Sequence, residues 1–180
     1  MKKKIVSESQ LTLNSNLSVS ILLSKNRTHV PIRKILLAVD GSEPSLDAAD
    51  KAIYLSENNG ADLFVIHVIP SDIRYGNIED NTKIQLTGPL KQIWNMSLGK
   101  AQKYVDEVKE RTVNKTVKVQ TEILVAVNSV VKEIVEYAEK QDVDLIVIGT
   151  RGMSGLKRIL LGSTSSGVVT YAHCPVLVVK

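Results

Sequence analysis

Gly149 and Gly152, followed after nine intervening residues by Gly162-Ser163-Thr164-Ser165, have the residue types that hold a phosphate. Glycine lets the main chain turn with positive φ and lets an anion approach backbone amides without a Cβ in the way, and a helix start supplies unpaired N–H groups. Ser163, Thr164 and Ser165 add hydroxyl donors beside those amides; capping of the last helix by Ser163 is compatible with the same role. A second candidate group is Asp40, in Ala38-Val39-Asp40-Gly41-Ser42. Its carboxylate can accept from a ribose hydroxyl or hold a phosphate-bound Mg²⁺ through water, or it can serve as a turn or capping carboxylate.

Other chemistry finds less support. His67 ends an apolar run and His173 lies in no orienting pattern, so both read as packed residues rather than acid or base. Lys157 and Arg158 are within reach of the glycine loop but fit a solvated face or a subunit contact equally well. Three histidines and one cysteine are scattered without metal-ligand spacing. The Walker A pattern with its lysine and the dinucleotide GxGxxG pattern are both absent, which argues against P-loop hydrolysis and hydride transfer. Cys174, next to Pro175, reads as a buried structural thiol.

The elements that must carry these residues follow from periodicity. Apolar runs at Lys34–Val39, Leu63–Ile69, Leu145–Ile148 and Val176–Val179 predict strands of a sheet covered on both faces. Alternation of Val117, Val119, Thr121 and Ile123 with polar neighbours predicts an edge strand. Pro44 opens a helix whose face carries Leu46, Ala49, Ile53 and Ser56, and Asn59-Gly60 closes it. A second helical face runs Leu90, Ile93, Trp94, Ser97, Ala101, Tyr104, Val105 and Val108, spacing that predicts core. Val131, Ile134, Val135 and Ala138 mark a third helix, and a short fourth follows Gly162. Pro70–Leu86 has no period and reads as a long excursion. Alternating strands and helices predict one α/β domain, a single parallel sheet with helices on both faces. Ligands of such sheets bind outside the carboxyl ends of the strands, which is where Asp40, Ile69 and the Ile148-Gly149 pair fall.

Bulk properties narrow the function. The 180-residue chain carries a net charge of +4, but residues 1–34 hold seven cations against Glu8, a net of +6, leaving −2 for the remainder. A near-neutral body with one Phe, one Trp and five Tyr is unlike a nucleic-acid-binding domain. Ser7, Glu8, Ser9 and Gln10 interrupt the apolar stretch a signal peptide requires, and no run has the length of a membrane span, so the expectation is a cytoplasmic protein. Residues 1–30 read as a flexible extension, and residues 31–180 as the domain.

With Ile146-Val147-Ile148 before Gly149, CPVLVV after the last signature glycine and KILLAVDGSE at the other end, the Gly-x2-Gly-x9-Gly-Ser spacing resembles the nucleotide-binding signature of the universal stress protein family. The resemblance covers roughly residues 33–180. It implies a Rossmann-like sheet of five parallel strands in the order 3-2-1-4-5. It also implies an adenine nucleotide, ATP with Mg²⁺ at Asp40 through water, held by Ala38, Val39 and Asp40, with adenine read by the main chain of Val68. The phosphates would lie on Gly149, Gly152, Gly162, Ser163, Thr164 and Ser165, with Ile148 just before them, and AMP or a cyclic nucleotide is a variant of the same reading. A homodimer paired through Val176–Val179 is implied as well, which agrees with the need of an apolar edge strand for a partner. Asn128-Ser129-Val130 stands where many members have Gly-x-Pro, and Ser166-Gly167 where charged residues are common; Gly167 inside a helix costs about 1 kcal/mol of helix preference. The expected function is a dimeric, ATP-binding stress-response module. The alternative is a slow ATP hydrolase or an autophosphorylating protein with Ser163 or Thr164 as acceptor, ranked lower because neither a base nor a phosphate-clamping lysine is evident.

Overall fold

Apolar residues at consecutive positions make strands that must be covered twice, and the computed structural model shows both covers in place. It describes residues 31–70, 88–126, 128–152 and 161–180, all within the unit Pro31–Lys180. The elements are β1 (Lys34–Ala38), α1 (Glu43–Asn59), β2 (Asp62–Pro70), α2 (Gly88–Glu110), β3 (Val119–Ala126), α3 (Val130–Lys140), β4 (Leu145–Gly149), α4 (Ser163–Tyr171) and β5 (Val176–Val179). All four strand pairings are parallel and the order is β3-β2-β1-β4-β5, the Rossmann-like arrangement that the resemblance implies. Residues 1–30, most of the excursion after Pro70, and Lys157 and Arg158 lie outside the described residues.

Alternation along the central strands divides the core. Ile35, Leu37, Leu63, Val65 and Val147 face α1 and α2, where they meet Ala48, Ala49, Ala52, Val105 and Val108. Leu36, Phe64, Ile66, Ile146 and Ile148 face the other way, toward Ile134, Ala138 and Val168 of α3 and α4. Each fully buried aliphatic side chain contributes about 1.5–3 kcal/mol, so these two layers outweigh surface ion pairs such as Arg111–Asp50 (2.8 Å), worth about 0–1 kcal/mol.

Three sequence expectations shift. Strand β3 begins two residues later than the alternation suggests and continues to Ala126, because it pairs in register with β2 from Leu63↔Val119 to Pro70↔Ala126. It does lie at an edge. In α1 the buried stripe is Ser45, Ala48, Ala49, Ala52, Ile53 and Ser56, with Leu46 only half-buried: small residues let the helix lie close to the sheet. In α2, among the described side chains, Ala101, Val105 and Val108 are buried and Tyr104 packs against the same cluster, whereas Trp94 is half-buried and Ile93 and Met96 are over 60% exposed (61% and 64%), so its first half is less buried than the spacing predicts.

Two substitutions relative to the common family pattern acquire a structural reason. Ser129 caps α3 with extended backbone and accepts from the Lys132 amide at 3.4 Å. A Cβ on Gly167 would come within 2.7 Å of Val131 Cγ2, so glycine in α4 is what allows α3 and α4 to approach at Val131. The packing offsets the helix preference that glycine forfeits.

Candidate functional site

Strand β1 is the point where the sheet changes direction: its chain leaves toward α1 on one face, while β4 leaves toward α4, which packs on the other. A cavity of about 530 Å³ opens above the ends of β1, β2 and β4, the place where such sheets bind ligands. Ala38, Val39 and Asp40 line it from β1, Val68 from β2, Ile148 and Gly149 from β4. Gly152, Gly162, Ser163, Thr164 and Ser165 complete the opposite wall. Every residue singled out from the sequence as nucleotide-contacting thus borders one space.

Local hydrogen bonding shows what each wall can offer. In β2, Asp62 donates to Arg33 and Ile66 accepts from Val39 at 2.9 Å, whereas Leu63 donates to Lys118, so even-numbered residues face β1 and odd-numbered ones face β3. Val68 therefore turns its amide and carbonyl toward the β1 side, but β1 has ended at Ala38 and the ladder runs out there among the described residues. The Val39 carbonyl is taken instead by His67 Nδ1 at 2.7 Å. A carbonyl only accepts, so the Nδ1 proton is fixed and Nε2 of the neutral ring is left as an acceptor. His67 is half-buried and lines the cavity, its ring edge-on to Tyr104 with centroids 5.3 Å apart.

Asp40 is both a turn residue and a cavity residue. Its Oδ1 accepts from the Ser42 amide at 3.0 Å and from Ser42 Oγ at 2.5 Å, which sets the turn into α1. Gly41 takes the left-handed conformation in that turn (φ 78°) and packs beneath the Tyr104 ring. Asp40 Oδ2 lies against Gly152, so the carboxylate reaches the glycine loop across the crevice. Ser42 Oγ also sits 3.3 Å from the Arg151 carbonyl.

The glycines work differently from the sequence expectation. Among the described glycines only Gly41 and Gly60 have positive φ; Gly162 has φ −68°. What Gly149 and Gly162 avoid is collision with protein: a Cβ on Gly149 would meet the Pro44 carbonyl at 2.8 Å and Ser45 N at 2.9 Å, and one on Gly162 would meet the Thr150 carbonyl at 3.2 Å. The Gly162 amide is likewise committed, donating to Thr150 O at 2.7 Å. The donors left open at this wall are instead the amides of Ser163, Thr164 and Ser165, which precede the first helical bond, Ser166 N to Gly162 O, and have no partner within the helix. The Ser165 hydroxyl is not one of the available donors: it is buried and donates to the Gly149 carbonyl at 2.7 Å, pinning α4 to β4.

Several cavity residues were not reached from the sequence. Ser97, Lys100 and Tyr104 form one stripe of α2, and the spacing 97, 100, 104 beside the buried Ala101, Val105 and Val108 is the signal that could have found Lys100. Ser45, 3% exposed, lines the floor and its Oγ donates to the Ser42 carbonyl at 2.8 Å. Arg151 lines the loop wall. Elsewhere, His173 is exposed, and Cys174 is half-buried with its thiol pKa pushed up by burial, the character of an inert thiol. Among the described residues no group of three or more His, Cys, Asp or Glu side chains is placed to hold a metal, and no helix is long and apolar enough to cross a membrane.

Comparison with known proteins agrees with this architecture. Universal stress protein MJ0531 of Methanocaldococcus jannaschii is 40% identical over 148 residues, covering 82% of each chain. Universal stress protein YxiE of Bacillus subtilis is 35% identical over 154 residues, 82% of this chain and 98% of that one. Among solved structures, hypothetical protein MJ0577 superposes with a TM-score of 0.70 at 28% identity, over 84% of this chain and 97% of the other. Two more share the fold at lower identity: a universal stress protein in complex with cAMP (TM-score 0.55, 22% identical, 84% and 98% covered) and one from Archaeoglobus fulgidus in complex with dAMP (0.60, 21%, 84% and 100%). A model of the universal stress protein family matches residues 31–180, and with 40% identity to a curated member over most of both chains, this chain belongs to that family.

Proposed function

We propose that the chain is a cytoplasmic, homodimeric stress-response module that binds an adenine nucleotide, with ATP as its ligand. The observation that carries this reading is the convergence of three chain segments on one cavity, each suited to a different part of a nucleotide. Val68 presents a backbone donor and acceptor where β1 has ended, a pair that matches the ring nitrogen and exocyclic amine of adenine. Asp40 is the carboxylate of the lining, suited to a ribose hydroxyl or, through water, to Mg²⁺ carried by the phosphates. The first-turn amides of α4 supply an anion site with a favourable helix dipole. Two universal stress proteins that share the fold are in complex with cAMP and with dAMP, which supports an adenine nucleotide as the ligand class. The half-buried, apolar outer strand β5 (Val176–Val179) supports pairing with a second copy across a twofold axis.

The test is to denature the freshly purified protein and identify by mass spectrometry what it releases, then to titrate the emptied, refolded protein with ATP, ADP, AMP and cAMP. Release or saturable binding of an adenine nucleotide supports the reading; failure of all four ligands to bind a folded protein overturns it. Sedimentation of the wild type against a Leu177→Asp variant checks the dimer, which the substitution should convert to monomer.

A further inference from the structure

The cavity is bordered by an arginine whose Nε the protein itself leaves unsatisfied. Arg151 lies between the two signature glycines Gly149 and Gly152 and lines the loop wall of the cavity. Its Nε is buried and has no hydrogen-bond partner, and no ion pair involves the side chain among the described residues. A buried donor of a permanently charged group without an acceptor is unfavourable by more than a neutral one, and folded proteins rarely leave one unless a ligand completes it. The backbone leading into it is fixed: the Thr150 amide donates to Val179 O, the Thr150 carbonyl accepts from Gly162, and the Arg151 carbonyl faces Ser42 Oγ. The guanidinium is therefore carried on a braced segment, close to the first turn of α4 that offers the anion-directed amides.

Resting on the nucleotide reading above, we infer that Arg151 is a phosphate-binding residue that makes the site selective for nucleotides carrying phosphate beyond the α position. The charges facing the cavity are Asp40, Lys100 and Arg151, a net of one positive charge among the described lining residues. Helix amides alone suffice for a single phosphate. A di- or triphosphate brings two or more further charges into a crevice that also holds Asp40, and a planar fork of donors is the side chain suited to neutralise them through paired hydrogen bonds. Sequence reasoning weighed Lys157 and Arg158 as the cations of the glycine loop and passed over Arg151, whose buried Nε only the structure shows.

The experiment measures affinity for ATP, AMP and adenosine in wild type, Arg151→Met and Arg151→Lys, with thermal melts to verify folding. Wild type should prefer ATP to AMP, and Arg151→Met should weaken ATP at least tenfold while leaving adenosine within twofold. Arg151→Lys, which keeps the charge but not the fork, should fall between. The inference is overturned if Arg151→Met binds ATP like wild type, if it loses ATP and adenosine alike, or if wild type does not distinguish ATP from adenosine. Should Arg151→Met not fold, Arg151→Lys decides alone: ATP affinity unchanged relative to adenosine overturns the assignment, and a selective loss supports it. Wild type that binds none of the three removes the nucleotide reading itself, a result the adenosine arm separates from failure of the Arg151 assignment alone.

Discussion

Replacing Gly149 by alanine should destabilise the fold before it affects any ligand. The added Cβ would sit 2.8 Å from the carbonyl carbon and oxygen of Pro44 and 2.9 Å from Ser45 N, well inside the roughly 3.5–4.0 Å of a favourable carbon contact. None of these atoms belongs to a side chain that can rotate away. They form the first turn of α1, held by Ser45 N and Leu46 N on the Ser42 carbonyl at 3.0 and 3.1 Å and by Ser45 Oγ on the same oxygen at 2.8 Å. Relief requires α1 to lift from the sheet, loosening Ala48, Ala49 and Ala52 over Leu37 and Val147. Overpacking of this kind costs about 1–3 kcal/mol, which in a domain of this size lowers the melting temperature by roughly 2–12 °C. Thermal and urea melts of Gly149→Ala in the absence of nucleotide measure it directly. A variant that melts within a degree of wild type would show that the strand and helix are not in the close approach described, and would return Gly149 to a purely ligand-facing role.

The contrasting substitution is Gly152→Ala, whose Cβ meets Asp40 Oδ2 rather than backbone. Stability should change by less than about 0.5 kcal/mol while nucleotide affinity falls tenfold or more through displacement of the carboxylate, measured by calorimetry; equal affinity would refute a role for the Asp40–Gly152 contact. Gly167→Ala should lose stability despite its better helix preference, because the Cβ strikes Val131, and Val131→Ala should restore it in the double variant. Additive effects of the two changes in denaturant titrations would rule out that steric account. Burial of Tyr137, reinforced by the Glu122 charge and hydrogen bond, pushes its pKa up to about 12 from the usual 10.0. The folded state thus keeps a proton that the unfolded chain releases, so stability should fall as pH rises from about 10 to 12 and be fully present below that range. Tyr137→Phe should flatten that part of the pH profile, and an unaltered slope would assign it to other groups.

The parts of this molecule legible in its sequence are those set by local pattern. Apolar runs such as Leu145–Ile148 specify buried strands, and Asn59-Gly60 specifies a helix end, with Gly60 left-handed as a C-cap requires (φ 63°). The strand order came from the family signature rather than from periodicity, since helical and strand repeats say which face is apolar but not which strand is neighbour to which. The residues that border the cavity were legible as a set because the signature spacing of the glycines and the strand end at Asp40 place them at one edge of the sheet. Their individual tasks were not, because a task depends on what lies opposite in space. Gly149 reads as an anion platform until Pro44 is seen across from it; the Ser165 hydroxyl reads as a phosphate donor until it is found donating to the Gly149 carbonyl; Val68 is assigned to adenine only through the resemblance until β1 is seen to stop beside it. The signature glycines bring β4, α1 and the loop near Asp40 into close approach, and that closeness is what sets the Ser163–Ser165 amides on the same crevice as Val68. On that account the glycines act on a ligand indirectly: widening any of these contacts should move the amides away from the cavity even where no new atom enters it.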